Sequence, residues 1–244
     1  DEIDIQKIMN WEEVKEIIVP ELVCTRRAGE NLEDLIYRNV EGTDLAIIYR
    51  VKQQVANIVG SIKVSKQMME TWGVDENRIH EFAFHNMNQL STLQIVELNS
   101  DFAMPEETFS ELPEKMNKYS SYVFTNKEAF YGAATIMEEG MLHSIAERLQ
   151  EGFYLLPMDV DNIVVYPEGM MKNLESIHSM VLIHNIQCLE PENYLSDQVY
   201  YYSKEKGELS MSTNPENTQD VIIKILQQAM ECSPGKKEDY GEER

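Results

Sequence analysis

The sequence is short of basic residues and of long apolar runs, and each shortage excludes a class of protein. Its 244 residues include 21 lysines and arginines against 43 aspartates and glutamates, so the formal net charge is −22. A surface this acidic repels a phosphate backbone and anionic lipids, and we therefore expect no nucleic-acid partner and no membrane partner. The apolar runs, such as residues 45–49, are far too short to cross a membrane.

Cysteine is scarce as well. The chain has three cysteines, Cys24, Cys188 and Cys232, and no two of them form a C-x-x-C pair. An odd number of scattered cysteines argues against a disulfide framework. A reducing compartment is the simpler expectation.

Recognisable catalytic motifs are missing. The chain has no G-x-S-x-G nucleophile elbow, no phosphate loop and no G-x-G-x-x-G dinucleotide fingerprint. Cys24 and Cys232 have no histidine close to them in sequence. The sequence therefore predicts no catalytic residue and no cofactor, and it leaves open whether the protein is an enzyme.

The first three histidines do not predict a metal site. His80 and His85 are five residues apart on a predicted helix, so their directions differ by about 140° and they cannot converge on one ion. Both flank the apolar stripe of that helix, and we expect both to face solvent. His143 lies on the polar side of its own predicted helix and has the same expectation.

Two other polar clusters are also interpreted without a metal. His184 and Cys188 are four residues apart, but Pro191 follows closely, and we expect the helix to fray there. Residues 159–162 have the sequence Asp-Val-Asp-Asn, which is interpreted as a turn because the further ligands of a calcium loop do not follow. We therefore predict no bound metal.

Residues 121–168 indicate the fold class most clearly. Their pattern predicts a strand, a turn, a second strand, an amphipathic helix near 138–149, and two more strands around a Pro-Met-Asp-Val-Asp-Asn loop. Other predicted elements are helices at residues 11–18, 65–73, 75 onward, 171–185 and 219–230, strands at 22–25 and 93–98, and hairpins at 44–64 and 199–211. The sequence therefore predicts an α+β protein with mixed, mostly antiparallel sheets and packed helices.

Composition also suggests how the chain is divided. Residues 99–120 hold two prolines and many charges, and they predict a polar connection with one short helix. We predict four units: an N-terminal α+β lobe at residues 1–100, a second α+β lobe at 119–211, a C-terminal helix within 212–233 and a disordered tail at 234–244.

A weak internal echo relates the two lobes. Residues 60–72 and 132–144 each contain a glycine, a predicted strand and a predicted helix that opens with two apolar residues. Two related strand–helix lobes would explain this echo, and so would coincidence, because the order is common.

A set of short segments carries a resemblance to a known family. They are Val-Phe-Thr-Asn at 123–126, Gly-Ala at 132–133, Leu-Leu-Pro at 155–157, Ile-Val-Val-Tyr-Pro at 163–167, Asn185 and Leu-Ser-Asp-Gln-Val-Tyr at 195–200, with the Trp-Gly turn at 72–73. In these segments the chain resembles an uncharacterised domain-of-unknown-function family of gut clostridia, and more remotely the YtpQ-like proteins. The resemblance covers about residues 4–211. The resemblance implies an α+β fold and a cytoplasmic location in a bacterium, and we therefore predict a cytoplasmic protein. Members of that family are often longer at the N-terminus. It implies no activity and no catalytic residue.

The best candidate binding residues are His178 and Asn185. His178 falls on the apolar face of its predicted helix with Ile177 and Val181, and Asn185 lies two turns further along the same face. Polar residues on a core-facing stripe need hydrogen-bond partners or a pocket. One interpretation is a ligand site, and the other is a core histidine and an asparagine that bind nearby backbone carbonyls.

Two functions follow from these observations. The shortage of basic residues and the lack of recognisable catalytic motifs favour a non-enzymatic interaction or regulatory protein that acts through a protein partner. The alternative is an enzyme or small-ligand binder whose site lies between the central sheet and the helix that carries His178 and Asn185. A deep pocket at these residues would favour the alternative, whereas a filled core with a broad apolar surface patch would favour the first.

Overall fold

A computed structural model describes residues 5–26, 31–55, 58–98, 105–188 and 190–232. Its helices are α1 Ile5–Ile8, α2 Trp11–Val14, α3 Lys66–Trp72, α4 Glu76–Leu90, α5 Met141–Leu149, α6 Leu174–Cys188 and α7 Thr218–Cys232. Its strands are β1 Ile18–Cys24, β2 Tyr37–Asn39, β3 Leu45–Val55, β4 Ile58–Lys63, β5 Leu93–Leu98, β6 Pro105–Phe109, β7 Ser121–Asn126, β8 Phe153–Pro157, β9 Ile163–Pro167, β10 Tyr200–Ser203 and β11 Glu208–Met211. The described residues also form four 3₁₀ helices, at Gly132–Met137, Glu168–Met170, Pro191–Asn193 and Pro215–Asn217.

The strands form two antiparallel sheets. In the four-stranded sheet β1 pairs with one edge of β3, while β2 and β4 pair with successive parts of its other edge. The seven-stranded sheet has the order β11-β10-β8-β9-β7-β5-β6. The prediction of an α+β fold with mostly antiparallel sheets is confirmed.

One continuous apolar core spans both sheets. Leu22 and Tyr49 of the four-stranded sheet belong to the same buried cluster as Phe124 and Val165 of the seven-stranded sheet. The strand β5, which the sequence placed in the lobe at residues 1–100, is part of the seven-stranded sheet with the strands of the lobe at 119–211.

The helices that cover the core follow from local signals. Ser65 caps α3, and Gly73 ends it in the left-handed conformation at φ 67°, which a residue without Cβ adopts at low cost. Asp75 then caps α4, whose Ile79 and Ala83 are buried in the core. The helix α5 was predicted to begin near residue 138. It begins at Met141, because Gly140 precedes it in the left-handed conformation at φ 75°. Leu149 at its end is buried, as its apolar stripe predicts.

α6 covers the outer face of the seven-stranded sheet. Ile177 and Val181 pack there against Leu156, Val164 and Val199 in a smaller apolar cluster. α7 packs on α6. Within the described residues, no helix has both the length and the apolar character needed to span a membrane.

The prediction of a helix at residues 11–18 is wrong in its second half. α2 ends at Val14, and the chain enters β1 at Ile18, four residues earlier than the strand predicted at 22–25. Pro20 lies within β1 opposite Tyr49. Proline cannot donate to a ladder, and it is tolerated here because β1 is an edge strand.

Two further predicted elements differ from the structure. The second strand expected within residues 121–168 is the 3₁₀ helix Gly132–Met137, whose small residues Gly132 and Ala133 are fully buried. The echo between residues 60–72 and 132–144 is therefore not a repeated secondary structure. Within 105–120, where a short helix was expected, the chain forms β6 against β5. The predicted disordered tail at 234–244 lies outside the described residues.

Candidate functional site

A polar pocket lies where the four-stranded sheet meets the turns of the seven-stranded sheet. We call it the seam pocket, and its volume is about 470 Å³. That volume is within the range of small-molecule sites. It is lined by Glu21, Arg50, Lys63, Ala129, Phe130, Tyr131, Val160, Asp161, Glu192 and Asn193.

The floor of the seam pocket is a buried ion pair, Glu21 with Arg50. Glu21 on β1 lies opposite Ile48 on β3, so Arg50, two residues further, is its diagonal neighbour on the same face. The Arg50 Nε donates to Glu21 Oε2, and the two side chains are 16% and 3% exposed. Two charges this buried are stable only as a pair, because either one alone would be desolvated without compensation.

Tyr131 covers this ion pair. The guanidinium of Arg50 lies 4.8 Å from the centre of the Tyr131 ring, a cation–π geometry. Arg50 Nη1 also donates to Ser61 Oγ at 3.0 Å, and Ser61 Oγ is in turn 3.0 Å from the Tyr131 hydroxyl. Burial raises the pKa of Tyr131 above its ordinary value of 10.0.

The backbone around Tyr131 is in an uncommon conformation. Ala129 and Tyr131 both have positive φ, 46° and 54°, which is costly for residues with a Cβ. Buried Asn126 holds the loop that contains Ala129 and Tyr131. Its side chain donates to the Phe130 carbonyl at 2.9 Å and accepts from the Phe130 N–H at 3.0 Å. Strain held in this way at the wall of a pocket is typical of binding sites.

Asp161 fixes the other side of the loop. Its Oδ1 accepts the N–H of Tyr131 at 2.6 Å, and its own N–H donates to Asp159 Oδ1 at 2.8 Å. Burial, with repulsion from Asp159 and Glu21, raises the pKa of Asp161 to about 6, although the N–H groups it accepts act in the opposite direction. A carboxyl group that titrates near neutral pH in a pocket is a candidate for ligand contact or proton exchange.

The predicted candidates His178 and Asn185 lie elsewhere, on α6. His178 is 4% exposed, and its Nε2 is 2.8 Å from the Asp197 carbonyl oxygen. Asn185 Nδ2 donates to the Ser196 carbonyl at 3.0 Å and to Asp197 Oδ1 at 2.8 Å. Both side chains therefore hold the segment that leads into β10, and burial lowers the pKa of His178.

Between α6 and the sheet, Ile177 and Val181 pack against Leu156, Val164 and Val199. A pocket of about 460 Å³ lies between α6 and α7, and His178 lines it together with Glu175, Asp220 and Lys224. Asn185 is not among the described residues that line this pocket. A ligand role for His178 and Asn185 stays a prediction.

The other histidines differ in part from expectation. His85 and His143 are exposed, as predicted. His80 is partly buried, because it packs on Phe84 and its Nδ1 is 2.9 Å from the Tyr49 hydroxyl. Burial, with the positive charge of Arg38 nearby, lowers the pKa of His80.

The remaining polar clusters also have clear positions. α6 runs through both His184 and Cys188, so the expected fraying is wrong up to residue 188. The prediction of a turn at residues 159–162 is confirmed, since Asn162 and the N–H of Asp161 both bind the Asp159 carboxylate. In the described part of the chain, no three histidine, cysteine or acidic side chains are grouped to hold a metal ion.

The seam pocket was not found from the sequence, because its residues come from separate segments without a local motif. One signal was available: Glu21 interrupts the otherwise apolar run of β1, and Arg50 interrupts that of β3. Two opposite charges inside two buried strands predict a pair if the strands are neighbours. The strand register that brings them together is not visible in the sequence.

The comparisons with known proteins give a family and no activity. The model of a family of unknown function, DUF5688, matches residues 1–204. No curated protein and no solved structure matches the chain. Because the match covers most of its 244 residues, the chain belongs to this family of unknown function.

Proposed function

We propose that the protein binds a small polar molecule in the seam pocket. The observation that carries this proposal is the meeting, in one pocket, of Arg50, Tyr131 in a strained conformation, and Asp161 with a pKa of about 6. Strained backbone and perturbed carboxyl groups are both concentrated at binding and catalytic sites. Because Asp161 titrates near neutral pH, the same site could also exchange a proton with its ligand.

The test is a ligand-observed NMR screen of small polar molecules against the whole chain. Glu192→Trp obstructs the pocket, and Glu190→Trp is its matched control, because both glutamates are exposed and only Glu192 is among the lining residues. We expect molecules that bind the unmodified protein to bind Glu190→Trp and to lose binding to Glu192→Trp. Equal binding to the two variants, or no binding at all, would contradict the proposal.

We propose, as a second candidate, that α6 is a docking site for a protein partner. Met180, Ile183 and Ile186 are 44%, 36% and 53% exposed. They are three residues apart, so they lie along one side of the helix. The formal charge of −22 favours a basic partner, and a basic amphipathic helix would match both the apolar stripe and the negative net charge of the chain.

This second candidate is tested with a synthetic amphipathic helix made of leucine and lysine. Ile186→Glu should weaken binding by about tenfold or more, because it places a charge in the apolar stripe. Leu90→Glu is the matched control, since Leu90 is an exposed apolar residue, 38% accessible, on a different helix. Binding that survives Ile186→Glu would be non-specific attraction to the acidic surface and would reject the candidate.

We further propose that the protein works in the cytoplasm of a clostridial or related bacterium and is remotely related to the YtpQ-like proteins. The short segments quoted above support the kinship. The location is supported by the use of cysteine: Cys24 is buried, and burial, with Asp44 beside it, raises the pKa of its thiol to about 11. A thiol with a raised pKa is mostly protonated at neutral pH and is therefore poorly reactive, which suits a cysteine that stays reduced.

A further inference from the structure

The pocket between α6 and α7 is a further candidate site, because its lining includes a buried polar side chain. We call it the helix pocket, and its volume is about 460 Å³. Its described lining comes from both helices and from residues 213–217, which precede α7. None of these lining residues belongs to the seam pocket, so the two pockets are separate.

His178 is the buried polar residue of this lining, at 4% exposure. Its Nε2 lies 2.8 Å from the Asp197 carbonyl oxygen. A carbonyl oxygen can only accept, so Nε2 carries the ring hydrogen, and Nδ1 of the neutral ring is an acceptor. Burial lowers the pKa of His178 below its ordinary value of 6.5, although Asp197 acts in the opposite direction, and this favours the neutral ring.

The Nδ1 atom of His178 has no hydrogen-bond partner in the described part of the chain, where the ring bonds through Nε2 alone. Nδ1 is also not one of the polar atoms that are fully enclosed without a partner. It is therefore open to solvent, and the helix pocket is the space that His178 lines. An acceptor on a buried side chain is stabilised when a donor reaches it.

The charges of the helix pocket favour a positively charged donor. Glu175 and Lys224 pair with each other across the two helices, with Nζ 3.5 Å from Oε1, so their charges largely cancel. Asp220, in the first turn of α7, also lines the pocket and forms no ion pair with a described residue. Leu174 and Val221 add apolar surface to the same lining.

We infer that the helix pocket binds a small primary amine, whose ammonium group donates to Nδ1 of His178 while the charge of Asp220 attracts it. This inference goes beyond the proposed function, because it concerns a different pocket. An alcohol could donate to the same nitrogen but would gain nothing from Asp220, and a carboxylate could only accept. A metal ion fits less well, because in the described residues no three histidine, cysteine or acidic side chains are grouped to hold one.

The test uses three probes that differ only in the polar end: butylamine, 1-butanol and butyrate. Each is titrated into the whole ¹⁵N-labelled chain at about pH 7.5, where an unperturbed imidazole is mostly neutral, and the ring nitrogens of His178 are followed by NMR. We expect butylamine to shift the Nδ1 signal and to bind about tenfold or more tightly than 1-butanol, and butyrate not to bind. Equal affinity for amine and alcohol, or amine binding without a shift of Nδ1, would overturn the inference.

Two variants assign the two contributions. His178→Gln keeps an N–H donor for the Asp197 carbonyl but removes the acceptor at Nδ1, so it should weaken the binding of amine and alcohol by about tenfold. Asp220→Asn should weaken the binding of the amine alone. Glu216→Gln is the matched control, because Glu216 is exposed, lies four residues from Asp220 and is not among the lining residues.

Amine binding that is unchanged in both His178→Gln and Asp220→Asn would overturn the inference. If His178→Gln does not fold, Asp220→Asn and the Nδ1 signal of the unmodified protein decide. Glu192→Trp, which obstructs the seam pocket, separates the two sites. Amine binding should survive it, and its loss there would place the amine in the seam pocket and overturn the inference.

Discussion

Tyr200 on β10 donates a hydrogen bond to the carboxyl group of Asp44 over 2.7 Å, and this contact joins the two sheets. Both residues are buried, Tyr200 fully and Asp44 to 6% exposure. The Ser196 hydroxyl lies 2.7 Å from that of Tyr200, and the Cys24 thiol lies 3.5 Å from Asp44. A buried carboxyl group surrounded by donors in this way is stable only while the donors remain.

Tyr200→Phe should therefore destabilise the protein by about 2 kcal/mol, because it removes the donor and keeps the ring. Tyr201→Phe is the matched control. Its hydroxyl donates to the exposed Glu168 at 2.9 Å, and that loss should cost less than about 1 kcal/mol. Urea denaturation of the two variants measures the difference. Equal free energies of unfolding would mean that the contact between the sheets contributes little.

Gly132 is a position where the chain has no room for a side chain. A Cβ there would lie 2.5 Å from the Asp161 carbonyl oxygen and 2.7 Å from the Asn126 nitrogen, both backbone atoms. Gly132→Ala should cost about 2 kcal/mol and displace Tyr131 from Arg50. At Gly60 a Cβ would meet nothing within 4 Å, so Gly60→Ala should leave stability unchanged or raise it by about 0.5 kcal/mol. Thermal denaturation compares the two, and a similar loss in both would contradict the packing at Gly132.

Asp161 predicts a specific pH dependence. Its folded pKa of about 6 is above the ordinary value of 3.8, so the folded state holds the proton more firmly than the unfolded state. The contribution of Asp161 to the free energy of unfolding is therefore highest below the unfolded pKa and falls as pH rises towards 6. Above that pH, both states are ionised and the folded state keeps the full cost of the buried charge.

Asp161→Asn removes this dependence. The free energy of unfolding of the variant, relative to that of the unmodified protein, should rise by about 1–2 kcal/mol between about pH 4 and about pH 7.5. This energy is smaller than the full pKa shift would give, because Asp161 is partly exposed and solvent screens its charge. Urea denaturation at the two pH values gives the difference, in which the other titrating groups cancel. Two stability curves that run parallel over this range would show that Asp161 titrates normally.

The sequence predicted the elements with strong local signals. The helix α3 has a serine cap and a glycine stop, α4 has an aspartate cap and an apolar stripe, and the hairpin of β10 and β11 has a glycine in its turn. These signals act between residues that are near in sequence, so one chain is enough to recognise them.

The remaining features depend on tertiary contacts. Pro20 stopped the predicted helix, but it could not reveal that the edge of a sheet would accept it. The residues at 132–137 have strand-like composition, yet small side chains and the anchor at Asp161 favour a 3₁₀ helix. The seam pocket depends on the register of β1 against β3, which the sequence does not determine. The sequence showed that His178 and Asn185 are polar residues that need hydrogen-bond partners. It did not show which partners they bind.

The docking of α7 can be tested by limited trypsin digestion. An isolated helix of this length is marginal in water, so α7 must be stabilised by its contacts with α6 and by Thr218, whose hydroxyl accepts from Gln198 at 3.1 Å. We expect trypsin to cut first at Lys236 or Lys237, which lie outside the described residues, and to cut Lys224 late.

Substitutions on α7 separate docking from slow local cleavage. Val221 lines the pocket between α6 and α7, whereas Ile223 is 51% exposed. Val221→Glu should release the helix and make Lys224 an early cleavage site, while Ile223→Glu should leave the order of cleavage unchanged. If Lys224 of the unmodified protein is cut as fast as Lys236, α7 is not docked on its own domain. α7 would then be free to bind another molecule, and the protein-partner candidate would gain support over the pocket, because a marginal helix is ordered by whatever surface covers its apolar side.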